Sequence, residues 1–228
     1  MTSVTVTDLF KADVHYGHLS RHWNVAMFKY LYTDLNGTHV IDLVRTKKLL
    51  IQACNHIKQA TKEGKGFIFV GTKESVGEVV KKQAKKCNAS FVVERWVGGT
   101  LTNWSRLRHR VSVLKTLLIQ EKNGTFDNLP KKSYLSKKRQ IRRLSCGFRG
   151  LFHMKRVPEI AIIVDPVTEA YAVAECNRLG IKVIALTDTN CDPSLIDFPI
   201  PGNDDGGNSV RFILSKLSNA IITRRNEE

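Results

Sequence analysis

A chain of 228 residues can hold one large or two modest domains, and a hydrophobic share of 42% is that of an ordinary globular protein with a real core. Its 36 Lys and Arg against 21 Asp and Glu give a net charge of +15, which favours a polyanionic partner such as nucleic acid or an anionic membrane surface. No apolar run approaches the ~20 residues that span a bilayer, and five cysteines without a CxxC pair argue for reduced thiols, most of them buried, rather than a disulfide framework.

In chain order, Asp8 to Lys11 predicts a short helical turn leading into a histidine-rich loop, Val14 to His18. His15, His18 and His22 lack the cysteine or carboxylate neighbours that a zinc site needs, so no metal is expected. Arg21, His22, Trp23 and Asn24 combine cationic, aromatic and amide groups, as an RNA contact or a protein interface would. His39 to Leu43 predicts a short strand, and Thr46 to Lys62 a helix with apolar residues at helical spacing. Phe67 to Val70 is a continuously apolar strand of the kind buried on both faces of a parallel sheet. A second helix runs through Val76, Val79, Val80 and Ala84, and Phe91 to Val93 is the next strand.

Gly98-Gly99 then turns the chain into Leu101 to Glu121, a helix whose apolar residues Trp104, Leu107, Val111, Leu114 and Leu118 follow the spacing of a coiled-coil seam. A turn region at 123–130 precedes a second arm, Lys131 to Phe148, with Tyr134, Ile141, Leu144, Phe148 and Leu151 on the matching seam and Lys137 interrupting it. Gly147 and Gly150 should bend or end this return arm. Beyond it, strands at Ile160–Val164 and Val183–Leu186 flank a helix at Ala170–Leu179 capped by Gly180, and a helix at Asn208–Ile222 closes the chain.

The alternation of short apolar strands with helices predicts a doubly wound α/β fold with a mainly parallel, flavodoxin- or Rossmann-like sheet. Residues 1–100 and 157–228 form this body, and residues 101–156 an inserted helical hairpin. The charge follows the same division. Residues 1–100 carry 15 basic and 8 acidic side chains, residues 101–156 carry 15 and 2, and residues 157–228 carry 6 and 11. Ordinary exposed helices intersperse acids with bases, so the acid-poor insert predicts nucleic-acid binding rather than a solvated face. Its seam leaves no wide apolar face for lipid, and no membrane partner is expected. The candidate RNA-binding side chains are Arg106, Arg108, Arg110, Lys131, Lys132, Lys137, Lys138, Arg139, Arg142 and Arg143, with Arg21 and Trp23.

Doubly wound folds often bind nucleotides, so an enzyme using the loops at Gly71 and Asp188 is the alternative. The loop Gly71-Thr72-Lys73 matches neither phosphate-binding glycine pattern. Asp165, Asp188, Asp192, Asp204 and Asp205 stand near strand ends, where carboxylates either serve chemistry or make turns and caps; the turn composition favours the latter. No nucleophile elbow is present, and no cofactor is expected.

The run Trp96-Val97-Gly98-Gly99-Thr100-Leu101-Thr102-Asn103-Trp104 resembles the signature of the ribosomal protein S2 family. The segments at 14–24, 39–46 and 69–73, Ile163-Val164-Asp165 and the stretch at 186–205 resemble the same family in the same order. The resemblance implies an α/β domain with a coiled-coil hairpin, no catalysis, and contacts with small-subunit ribosomal RNA and neighbouring proteins, ribosomal protein S1 among them in bacteria. It makes Trp96, Gly98, Gly99, Asn103 and Trp104 the structural signature. The run Arg149-Gly150-Leu151-Phe152 departs from the family's usual pattern after the second arm. Set beside the resemblance, the N-terminus without transit-peptide character and the short end after the last helix point to a plastid ribosome, with the bacterial cytoplasm as the alternative.

Overall fold

The computed structural model describes residues 4–127 and 129–225; Asn128, part of the expected turn region, lies outside the described residues. Helix α1 (Val6–Lys11) is held by a reciprocal cap in which Thr5 and Asp8 exchange backbone and side-chain hydrogen bonds. The expected histidine-rich loop is partly a strand. β1 (Tyr16–Leu19), β2 (Leu31–Leu35) and β3 (Thr38–Ile41) form a small antiparallel sheet in the order β1-β3-β2. Asn36 and Gly37 make the tight β2–β3 turn with φ of 52° and 76°, the paired left-handed geometry that a two-residue hairpin needs. The strand expected at 39–43 is therefore shorter and lies outside the parallel sheet. Asp42 instead caps α2 (Leu43–Lys62), accepting hydrogen bonds from the N–H groups of Val44 and Arg45.

The body follows in alternation: β4 (Phe67–Val70), α3 (Glu74–Lys86), β5 (Ser90–Val92), the hairpin arms α4 (Trp104–Lys122) and α5 (Lys131–Phe148), β6 (Ile160–Val164), α6 (Ala170–Leu179), β7 (Lys182–Thr187), β8 (Phe198–Pro201) and α7 (Gly207–Arg225). The five strands are all parallel, in the order β5-β4-β6-β7-β8, which is the flavodoxin-like doubly wound arrangement. Strand β8 was not expected; it carries Pro199 and Pro201 and lies at the sheet edge, where a missing N–H is tolerated.

Alternate residues of each strand serve opposite cores. Phe67, Phe69, Ile160, Ile162 and Val164 face the layer that includes α2, α3 and α7. Ile68, Val70, Ala161 and Ile163 face α6 and the hairpin. Both sides are buried, which is why these strands read as unbroken apolar runs.

The hairpin seam joins the second of these cores. Trp104, Leu107, Val111 and Leu114 of α4 and Ile141, Leu144 and Phe148 of α5 are buried in one cluster with the α6 face of the sheet. At the tip the buried residue is Leu117 rather than the expected Leu118, and Phe126 joins the same cluster there, widening the stripe. Helix α5 ends in a single 3₁₀ turn, Arg149–Leu151, pressed against the edge of the sheet. A Cβ on Gly150 would lie 1.9 Å from the carbonyl oxygen of Phe91, so only glycine lets the return arm meet strand β5 at this distance. Cys87, Cys176 and Cys191 are buried; burial pushes the thiols of Cys176 and Cys191 up to about 12, where they are inert at neutral pH.

The N-terminal sheet closes over the carboxyl ends of β7 and β8. The Asn24 N–H donates to the carbonyl of Thr189, the Asn203 N–H donates to the carbonyl of Val14, and the Thr46 hydroxyl reaches the carbonyl of Pro201 at 2.7 Å.

Candidate nucleic-acid interface

Two places in this fold could carry function: the carboxyl ends of the parallel strands and the basic hairpin. The first is filled from within. Lys73, after β4, places its Nζ 3.1 Å from both Asp165 and Asp204 and 2.6 Å from Asp205. His18, from β1, places Nδ1 3.1 Å from Asp188 and Nε2 3.6 Å from Asp205. The Thr72 N–H, which a bound phosphate would use, instead donates to the carboxylate of Glu169 at 2.6 Å. Asp192 caps a short turn through the Ser194 N–H. The five aspartates are thus counterions and caps, and the loops at Gly71 and Asp188 are occupied by the protein itself. Among the described residues, no group of three or more His, Cys, Asp or Glu side chains could hold a metal. Among the same residues, no helix is long and apolar enough to cross a membrane.

This ionic cluster has a pH signature. The hydrogen bond that His18 donates to the Asp188 carboxylate raises its pKa to about 9, well above 6.5, its ordinary value. Its stabilisation is complete below about pH 6.5 and is lost as pH rises towards 9. Burial and the neighbouring Asp188 and Asp165 raise Asp204 to about 7, so it also favours the fold less as pH rises from 3.8 to that value. We therefore expect stability to fall by about 1–2 kcal/mol between pH 6.5 and 9, allowing for the partial exposure of His18. Thermal melting across this range checks it: the His18→Gln variant should flatten the decline, and an unchanged decline would assign it elsewhere.

The hairpin is the opposite case. Arg106, Arg108, Arg110, Lys131, Lys132, Arg139, Arg142 and Arg143 are exposed, while Lys137 and Lys138 are half-buried. Lys138 is engaged within the hairpin, paired with Glu121 of the other arm and lying over the Tyr134 ring. Lys115 likewise donates to the carbonyl of Phe152. Among the described residues, none of the others has a carboxylate at ion-pair distance, so their charge is available to a polyanion. Lys131 and Lys132 begin α5, whose first turn has no acidic residue and no side-chain cap. The positive end of the helix dipole adds to their charge there.

The sequence-predicted residues do not converge on one spot. Arg110, Arg139, Arg142 and Arg143 come together with Arg95 around a cleft of about 940 Å³ between the hairpin arms and the Trp96–Gly98 turn. Arg95 was not among the expected side chains: on sequence it belongs to the strand end, outside the insert. Arg106 and Arg108 lie off the cleft on α4, and Lys131 and Lys132 mark the tip. Arg21 and Trp23 sit on the N-terminal segment away from the hairpin, where the Trp23 ring packs against His39 at 5.1 Å and Phe28 at 6.5 Å.

One carboxylate roots the hairpin. Glu175, on α6, accepts hydrogen bonds from the N–H groups of Gly99 (2.6 Å), Leu101 (3.0 Å) and Thr102 (3.2 Å), the Trp96 indole (3.1 Å) and the Thr102 hydroxyl (3.3 Å). Burial works to raise its pKa, but the Leu101 N–H, the indole and the other donors together hold it below the usual carboxylate range. The signature residues Trp96 and Gly99 are thus bound directly, while Trp104 is buried in the seam and Asn103 directly precedes α4. In sequence Glu175 is an ordinary helix glutamate, 74 residues from Leu101, and carries no signal of this role.

Comparison with known proteins agrees with this geometry. A family model described as "Ribosomal protein S2" matches residues 9–223. The chain is 46% identical to the "Small ribosomal subunit protein uS2c" of Emiliania huxleyi, with 97% of each chain covered. It is 47% identical to the protein of the same name from Mesostigma viride, again over 97% of each, and 43% identical to that of Cyanophora paradoxa, over 97% of this chain and 95% of the relative. With a doubly wound body, a basic hairpin and these relatives along almost its whole length, the chain belongs to the ribosomal protein S2 family.

Proposed function

We propose that this protein is a structural, RNA-binding constituent of the small subunit of plastid ribosomes. The observation that carries the reading is the hairpin: an acid-depleted, exposed basic surface fixed to a rigid α/β body through Glu175. Its arginines and lysines neutralise phosphates of small-subunit ribosomal RNA and set the position of the protein without reading bases. The body, residues 1–100 and 157–228, supplies protein contacts, and residues 101–156 supply most of the RNA contact. On the N-terminal segment Phe28 and Tyr32 are 71% and 77% exposed, an apolar surface suited to neighbouring proteins, for which ribosomal protein S1 is our candidate. Arg21 and Trp23 stand beside that surface and are proposed as a secondary RNA contact.

Gradient sedimentation tests the reading. The chain should travel with small subunits at moderate salt and be released at high salt, because each neutralised phosphate frees counterions. A chain that never enters the small-subunit fractions would refute it. On isolated RNA, replacing Lys131 and Lys132 together by alanine should reduce the slope of log affinity against log salt by about 2. An unchanged slope would remove the tip from the interface.

A further inference from the structure

The cleft between the hairpin arms differs in kind from the exposed tip. Arg95, Arg110, Arg139, Arg142 and Arg143 line it with no carboxylate among its walls, and its apolar lining includes Trp96, Val97, Leu144 and Phe148. Its volume, about 940 Å³, lies near the upper end of the ~300–1,000 Å³ typical of small-molecule pockets. The Trp96 ring is held by its own N–H, which donates to Glu175 at 3.1 Å, so its orientation is fixed before any ligand arrives. An RNA duplex presents phosphates on a convex cylinder and suits the lysines of the tip. A concave site with cationic walls and an aromatic floor suits a base that has left the stack, with its flanking phosphates on the walls.

We propose that this cleft takes an unstacked nucleotide of a single-stranded RNA segment, the base lying against Trp96 and the adjoining phosphates on the five arginines. The inference rests on the RNA-binding reading of the hairpin and adds to it the class of RNA and the place of one nucleotide. Arg95 is the informative residue, because it belongs to the cleft and not to the tip. Its exposed side chain can be removed without disturbing the core.

The test uses the full chain with two probes of matched phosphate number, an oligoadenylate strand and a blunt RNA duplex. Arg95→Ala should weaken the single strand about tenfold and the duplex less than about twofold. Binding of the strand should also quench Trp96 emission in a Trp23→Phe background, where the remaining tryptophan, Trp104, is buried at 8% exposure. Equal losses on both probes, or binding of the strand without quenching, would overturn the inference and leave a general basic surface. Wild-type chain that binds the duplex but not the strand would also overturn it alone. Wild-type chain that binds neither probe would bring down the RNA-binding reading with it.

Discussion

Replacing Gly150 by alanine should cost about 3 kcal/mol or more of folding stability, at or beyond the usual range for overpacking. For a chain of this size that corresponds to a melting temperature lower by roughly 6–12 °C. The new methyl would stand 1.9 Å from the carbonyl oxygen of Phe91 and 2.6 Å from its ring, and the first of these is backbone that no rotamer change can move. Either β5 leaves β4, its one partner in the sheet, or the end of the return arm lifts off β5. Gly98→Ala is the matched control. A Cβ there meets nothing within 4 Å, so its effect should stay within about 0.5 kcal/mol. Thermal or urea denaturation of both variants decides the point, and a Gly150→Ala protein as stable as Gly98→Ala would show that the contact is readily relaxed.

Removing the Glu175 carboxylate should act on the same junction from the other side. Glu175→Ala strips the acceptor from three backbone N–H groups, the Trp96 indole and the Thr102 hydroxyl at once. We expect a loss of about 2–4 kcal/mol, because several partly buried donors are left unsatisfied together. Glu175→Gln, which keeps one acceptor oxygen but no charge, should lose about half as much. Amide hydrogen exchange gives the residue-level readout: Gly99, Leu101 and Thr102 should exchange faster in the alanine variant while the strands keep their protection. Uniform acceleration along the chain would mean that Glu175 supports the whole fold rather than the root of the hairpin.

Most of the body was legible in the sequence because its strands are buried on both faces and its helices carry clean apolar stripes. The strand Ile160–Val164 and the helices Ala170–Leu179 and Lys131–Phe148 have the bounds that their patterns suggest. The N-terminal sheet was missed for a physical reason. Most residues of β1 and β2 are exposed or half-buried, so no apolar run announces them. The Asn36-Gly37 pair between Leu35 and Thr38 was nonetheless a readable hairpin signal. The basic character of the hairpin was also readable, since acid depletion is a property of composition. Which bases converge was not. The grouping of Arg95 with Arg139 and Arg142 depends on how the arms meet the Trp96–Gly98 turn, and that angle is set by Glu175 from a distant helix. Local patterns say nothing of a carboxylate that works across 74 residues.

The closure of the N-terminal sheet over β7 and β8 has a consequence for how the chain is made. Thr46 finds its acceptor, Pro201, 155 residues later, and the His18 N–H finds the Thr189 hydroxyl 171 residues later. At ~5–20 residues per second of synthesis, the start of the polypeptide waits roughly 10–30 s for surfaces that do not yet exist. Until then His18 has no aspartate to pair with and the Asn24 N–H no Thr189 carbonyl to reach, and the first segment to emerge is among the last to settle. A nascent chain stalled before Thr189 would therefore hold its N-terminus open to proteases and chaperones, however well its own α2 had formed.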